Sequence, residues 1–301
     1  MTAVAPRLDT PDAPVSVPIS TRLRRKPWKV AVVAVIVTAG LFWSLAPIYW
    51  MVTTSLKNPL EVTRLNPTLY PHALTGQNYG ELFGQTLPFS SFLENSVVTS
   101  LVAAVIAVAI SAFAGYSLSR GQWRLRGFTG QIILATRILP LVVLVGPLYL
   151  IFLKTHLLNT YYGLILGYTS FALPFGAWMM KGFIDAVPRE IEEAARVDGY
   201  GRIGILFRVV LPLTLPGLFT TGAFVFMDAW NNLLYPLTLI DSLKMQTLPP
   251  GLLTSFTGQF KTDWGGMMAA ACLTTIPLMA AFFAIQRYMV RGLTAGALAG
   301  Q

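Results

Sequence analysis

Arg137 and Asp228 are the two charged residues that interrupt six long apolar stretches of this 301-residue chain. A charge in such a place is costly and needs a reason. Asp228 stands close to Trp230, Asn231, Asn232 and Tyr235. Carboxylates and amides bind hydroxyl groups, and aromatic faces take the C–H surface of a sugar ring. The group is therefore a candidate lining for the path of a polyhydroxylated solute. An interhelical hydrogen-bond network, with Asp228 paired to Arg137, accounts for the same residues. Arg137 either joins that path or lies in the cytoplasmic third of its span and snorkels to the boundary.

A second group of residues carries mechanical rather than catalytic chemistry. The segment from Asp185 to Gly199 has the marks of a short helix. Pro188 suits the first helical position. Glu190, Glu192 and Glu193 sit in the early turns, where negative charge complements the helix dipole. Glu192 and Arg196 are four apart, in the order that favours a pair. Gly199 is placed for a left-handed stop. Val187, Ile191, Ala194 and Ala195 form a small apolar face opposite the charged one. Such a helix is too short to persist alone in water. Alanine anchors poorly in lipid, so the face suits a protein groove.

Other chemistry is missing. One cysteine, Cys272, excludes an intrachain disulfide framework and any multi-cysteine metal site, and reads as packing. His72 and His156 are isolated from each other. No nucleophile–base pair is visible, and no Gly-Lys dipeptide exists to build a phosphate loop. The chain is expected to be no enzyme and to hold no metal or cofactor of its own.

The elements that position these residues follow from charge segregation. Charged residues are 12% of the chain and hydrophobic ones 54%, against about 25% charged in a soluble domain. The six windows are Val30–Leu56, Asn95–Ser119, Gly127–Leu153, Thr155–Met180, Val209–Ile240 and Trp264–Gln286. Each is long enough to cross a bilayer as a helix. The expected architecture is an all-α polytopic membrane protein with spans near 30–54, 94–118, 128–152, 161–181, 212–238 and 266–286. The first window is too long for the apolar core of a signal peptide and reads as a retained span.

With both termini cytoplasmic, sixteen Lys and Arg fall inside and five outside, which sets the orientation. The same loops explain the net charge of +9 without nucleic acid. Residues 1–28 read as a disordered basic tail, 29–290 as the membrane domain with a cytoplasmic loop at 182–211, and 291–301 as a cytoplasmic C-terminal tail. The outside loop 57–93 reads equally as a small cap or a linker. Prolines 140, 147, 174, 212, 216, 236 and 277 fall within spans and suit a bundle that bends or opens. Ala103, Ala107, Ser111 and Gly115 form a small-residue stripe for close helix packing.

The segment Glu193-Ala194-Ala195, three residues, Gly199, nine residues, Val209-Val210-Leu211-Pro212 resembles the E-A-A-x3-G-x9-I-x-L-P loop of ABC importer permeases, with Val209 in place of the usual Ile. Gln286-Arg287-Tyr288 and the run Arg291, Gly292, Leu293, Thr294, Ala295, Gly296, Ala297 resemble the ending of the maltose-type sugar permeases. Trp230-Asn231-Asn232 and Phe171-Ala172-Leu173-Pro174-Phe175 are similar to the same subgroup. The likeness covers roughly residues 85–300.

That resemblance implies a type I importer permease fold of six membrane helices in the cell membrane. It implies a coupling helix seated on an ATPase subunit, involving Glu192, Glu193, Ala194, Ala195, Asp198, Gly199, Leu211 and Pro212. It implies a C-terminal contact through Arg291, Gly292, Leu293, Thr294 and Gly296. The partners it implies are a homologous second permease, two ATPase subunits that bind ATP and Mg, and an extracellular solute-binding protein touched by loop 241–263. The cargo it implies is a di- or oligosaccharide, held mostly by the second permease. Glycerol phosphoesters or polyamines are alternative cargoes. A stand-alone ion-coupled carrier with Asp228 and Arg137 as a relay is the alternative of another class.

Overall fold

The computed structural model describes residues 27–84, 87–258 and 262–298, beyond Gln286 by backbone alone. The expected disorder of residues 1–28 falls almost wholly outside the described residues. Helices run in the order α1 (Pro27–Ser55), α2 (Pro59–Val62), α3 (Gln77–Leu82), α4 (Phe89–Arg120) and α5 (Arg126–Ala135). Next come α6 (Leu141–Lys154), α7 (Tyr161–Asp185), α8 (Arg189–Val197), α9 (Arg202–Ile205) and α10 (Leu211–Leu213). The series ends with α11 (Leu215–Trp230), α12 (Leu234–Leu239), α13 (Leu248–Phe256) and α14 (Trp264–Leu298). Among the described residues, β pairing is limited to one isolated bridge, Thr257 to Thr262.

The chain divides into two compact units, Met1–Ile48 and Tyr49–Gln301. In the first, every residue from Trp28 to Ile48 is exposed, Trp43 to 83%. An apolar helix so bare is suited to lipid or to another protein, not to water. The second unit holds the bundle.

Four helical stretches are long and apolar enough to cross a membrane: Trp28–Ser55, Phe89–Arg120, Tyr161–Asp185 and Trp264–Phe283. The windows read as a third and a fifth span are broken instead. Arg126–Ile138 meets Leu141–Lys154 at 96°, and Arg202–Leu213 meets Leu215–Trp230 at 79°. Counting each bent pair as one span gives six. The first break falls at Leu139, whose backbone is extended (ψ 125°) ahead of Pro140. Proline's ring pushes its predecessor out of the helical region. The second falls at Thr214, between Pro212 and Pro216, after a wide turn over Leu206–Val210. The fifth span also stops at Trp230, not near residue 238, and α12 follows as a separate short helix.

The core of the second unit is the long contact of α4 with α7, backed by α11. The small-residue stripe makes it possible. Ala103, Ala107 and Ser111 are fully buried. At Gly115 an added Cβ would come within 2.8 Å of the Lys181 backbone nitrogen, so only hydrogen fits.

The end of the bundle away from α8 is closed by α2, α3 and α13. Phe89 and Phe92 of α4 pack with Leu82, Leu248, Phe256 and Trp230. The Asn95 side-chain amide donates to the carbonyls of Lys244 and Gln246, and Ser96 accepts from the Leu248 amide. Asn78 donates to the carbonyls of Ser55 and Lys57. Glu61 is buried and accepts from the Thr68 hydroxyl at 2.7 Å and from the His72 amide. Segment 57–84 is thus an ordered cap.

Candidate coupling helix and translocation cleft

The helix expected around Glu193 is α8, Arg189–Val197, with Pro188 as its cap. Gly199 stops it with φ +87°, and the Gly199 and Tyr200 amides close the last turn on the carbonyls of Arg196 and Ala195. The helix is held from behind by two residues of α4, Arg120 and Tyr116. Arg120 donates from Nε to Glu192 Oε1 at 2.6 Å and from one terminal nitrogen to the carbonyls of Ile184 and Val187. Those carbonyls lie at the end of α7 and in the turn that follows it, and the Ile184 carbonyl also accepts from the Val187 amide. Tyr116 donates its hydroxyl to the second Glu192 oxygen at 3.3 Å. Ser119 donates to Asp185, which also pairs with Lys181.

This corrects the expected Glu192–Arg196 pair. Glu192 is 3% exposed and turns inward to Arg120, while Arg196 stays at the surface. A buried carboxylate needs a saturating partner, and a solvated arginine one turn away supplies less than one fixed by three further bonds. The apolar face is corrected as well. Val187 and Ala195 are buried, Ala195 beside Met180, Ile184 and Ile205. Ile191 and Ala194 face outward, with Glu193 and Asp198 exposed and Val197 88% exposed. The helix therefore has an inner face locked to α4 and α7 and an outer face of mixed Ile, Ala, Val and acid. Leu211 packs under it against the same cluster, and Pro212 is exposed.

Arg120 and Tyr116 escaped the sequence reading. Arg120 counted there only as a loop charge, and nothing local links it to a residue 72 positions away.

In the membrane region, Arg137 and Asp228 do meet, at 3.8 Å. Arg137 lies in the turn between α5 and α6, directly before the first break. Its guanidinium stacks over Phe171 at 4.3 Å and near Phe175 at 5.7 Å. Beside the pair is a cleft of about 380 Å³ lined by Asp228, Asn231 and Asn232 together with Leu141, Phe224 and Met227. Asn231 donates to the Met227 carbonyl, and Asn232 accepts from the Tyr235 amide, so each amide side chain keeps one end free for another partner.

Trp230 and Tyr235, expected with them, point elsewhere. Trp230 is 4% exposed, stacked on Phe226 in the core under the cap. Tyr235 is 3% exposed and sits edge-on to Tyr168 and Phe171. Helical spacing explains the split. Residues 228 and 230 lie about 200° apart around a helix axis, so one faces the cleft and the other the core.

The backbone at Arg291, Gly292, Leu293, Thr294 and Gly296 continues α14 to Leu298. Their side chains lie outside the described residues. Among the described residues no group of three or more His, Cys, Asp or Glu could hold a metal.

A bundle of long apolar helices with two broken spans, one short amphipathic helix clamped beneath it and a polar cleft inside it is the build of a membrane permease. Residues 107–295 match the family of binding-protein-dependent transport system inner membrane components, and the chain belongs to that family. It is a multi-pass protein of the cytoplasmic membrane. The sulfoquinovosyl glycerol transport system permease protein SmoH of Agrobacterium fabrum is 36% identical over 94% of this chain and 97% of its own. The trehalose transport system permease protein SugB of Mycobacterium tuberculosis is 36% identical over 89% and 97%. The trehalose/maltose transport system permease protein MalG of Thermococcus litoralis is 33% identical over 85% and 92%. In fold, the chain is similar to a bacterial ABC transporter involved in the import of the acidic polysaccharide alginate. The TM-score is 0.75 at 21% identity, covering 91% of this chain and 100% of that one. The resemblance read from the Glu193–Pro212 segment is borne out.

Proposed function

We propose that the chain is the permease subunit through which an ATP-driven importer moves a di- or oligosaccharide into the cell. The single observation that carries this reading is α8. Its inner face is fixed to two membrane helices by the buried Arg120–Glu192 pair, while Ile191, Glu193, Ala194 and Val197 stay exposed. A helix gripped on one side and bare on the other suits the transmission of an external push. The push comes from separate ATPase subunits, since the sequence holds no phosphate loop. Glu193, Ala194, Asp198 and Gly199 form the docking side, with Glu192, Ala195 and Leu211 as the grip and Pro212 at its edge.

Further elements follow from the same reading. Both termini are cytoplasmic, a homologous permease completes the path, and a solute-binding protein delivers the sugar from outside. The chain needs no cofactor of its own. ATP and Mg belong to the ATPase subunits. Asp228, Asn231 and Asn232 meet sugar hydroxyls, with Arg137 fixing Asp228, while Trp230 and Tyr235 support the cleft from the core. Arg291, Gly292, Leu293, Thr294 and Gly296 extend toward the ATPase subunits. The names of relatives support a carbohydrate cargo: trehalose, trehalose/maltose and sulfoquinovosyl glycerol.

The test is Glu193→Lys and, separately, Gly199→Val, in the assembled transporter. Both variants insert in the membrane and lose sugar uptake while ATP hydrolysis continues, uncoupled from solute. Unchanged uptake in both would remove α8 from the mechanism. A solute panel in the same ATPase assay separates sugars from glycerol phosphoesters and polyamines.

A further inference from the structure

We infer that a cavity beside α8 is a binding site for a phosphate ester with an apolar tail, the chemistry of an anionic phospholipid. The cavity measures about 660 Å³ and opens between the end of α4 and the segment from Arg196 to Leu206. Arg120, Arg196 and Arg202 line it, and no Asp or Glu does. Arg120 is spent on Glu192 and the carbonyls of α7. Arg196 and Arg202 make no hydrogen bond or ion pair among the described residues and are exposed. Two unneutralised guanidiniums facing one cavity are matched by a phosphate, which guanidinium binds through paired hydrogen bonds.

The rest of the lining says that the anion has a tail. Phe113 lies seven residues before Arg120 on α4, about 10 Å along the axis. Phe113 is 51% exposed and sits edge-on to Phe207, which is equally exposed. The cavity thus runs from arginines at one end to the bare ring of Phe113 at the other. Trp123 and Tyr200 also line it, the residue types that favour the headgroup level of a bilayer. Basic pockets between helix ends at the cytoplasmic boundary are suited to anionic headgroups. The position matters for transport, because a lipid seated here touches α4 and the exit of α8 together. The inference rests on the permease reading only for setting this end at the membrane boundary.

The full chain, purified in uncharged detergent, is titrated with phosphatidylglycerol, phosphatidylcholine or soluble glycerol 3-phosphate, and retention is read by native mass spectrometry. Wild type and Arg189→Gln, an exposed arginine of α8 outside the cavity, retain phosphatidylglycerol over phosphatidylcholine. Arg196→Gln/Arg202→Gln lowers that retention by about thirtyfold, two charges' worth at a membrane surface. Ile203→Glu, at a 71% exposed position on the rim, lowers it without removing an arginine. Equal retention of the two lipids, or unchanged retention in both cavity variants, overturns the site. Competition by glycerol 3-phosphate at matched concentration keeps the phosphate site and overturns the lipid. Loss of an ATP-hydrolysing partner with lipid retention intact assigns the cavity to an acidic protein surface and overturns the inference. Lipid retention is read without nucleotide or sugar, so its failure leaves the coupling role untouched, and the reverse holds.

Discussion

Two Arg–carboxylate pairs hold this molecule together in different ways. Arg120–Glu192 closes at 2.6 Å with side-chain exposures of 11% and 4%, and Arg120 makes further bonds to Ser119, Ile184 and Val187. Arg137–Asp228 stands at 3.8 Å with exposures of 19% and 34%, and Arg137's other neighbours are the rings of Phe171 and Phe175. The first pair is saturated and serves as a rivet between α4, α7 and α8. In the second, Asp228 lines a cleft beside the pair, and hydrogen-bonding capacity is left unused on both sides. The difference fits the two proposed roles: a rivet must not open for force to pass, and a lining must be free to exchange partners with a passing solute.

The sharpest way to break that contrast is to remove Arg120. Arg120→Met strands Glu192 without its guanidinium and removes the bonds that Arg120 gives to the Ile184 and Val187 carbonyls. Breaking one side of a buried pair costs about 3–5 kcal/mol. Thermal unfolding of the detergent-purified chain reads the loss, and uptake falls with it. Arg120→Met/Glu192→Met loses less than the single variant, because no charge is left stranded. A single variant as stable as wild type would mean that the pair is no rivet.

The looser pair predicts the opposite balance. Asp228→Asn keeps the shape of the side chain and gives up one long ion pair with no further bond on Arg137 among the described residues, so its cost is smaller than that of Arg120→Met. Stability hardly moves, while, on the proposed reading that the carboxylate meets sugar hydroxyls, uptake changes in KM or in the choice between sugars. A melting curve displaced as far as that of Arg120→Met, with unchanged uptake of every sugar tried, would reverse the assignments of the two pairs.

The parts of this design that the sequence carried were those with a local period. Charge-free windows marked the spans, and the acid-rich start and Gly199 stop marked α8. What stayed hidden depends on distant partners. Pro174 and Pro277 lie inside continuous helices, whereas the chain breaks ahead of Pro140 and between Pro212 and Pro216. Proline frees a carbonyl in every case, and whether the helix survives depends on what packs beside it. Arg120 and Glu192 meet across 72 positions, which no window reveals. Trp230 sits beside Asn231 in sequence but belongs to the core, because adjacent helical residues face different sides. Polarity and aromaticity located the cleft, and only the helix register sorted its lining from its support.

The cap supplies the smallest effect, and it extends the comparison to a third carboxylate. Glu61 is buried like Glu192 but answers to hydroxyl and amide donors, with His72 3.8 Å away. The Thr68 hydroxyl, helped by the His72 amide and the charges of His72 and Lys57, holds its pKa below the ordinary value of 4.5 in spite of burial. A carboxylate depressed in the folded state adds stability above its unfolded pKa, and that stability fades as pH falls through the folded one. The cap therefore weakens only below about pH 4.5 and is insensitive at neutral pH. Melting temperatures of wild type and Glu61→Gln, compared between about pH 5.5 and about pH 3.5, converge as the acid side is approached, since protonation does to Glu61 what the amide does permanently. Thr68→Val removes the strongest donor and raises the folded-state pKa, so the gap above pH 4.5 narrows and the convergence is complete at a higher pH. Curves that stay parallel across the range would show that Glu61 is not held in its charged form by Thr68, and would leave Glu192 as the one buried carboxylate whose partner decides the architecture.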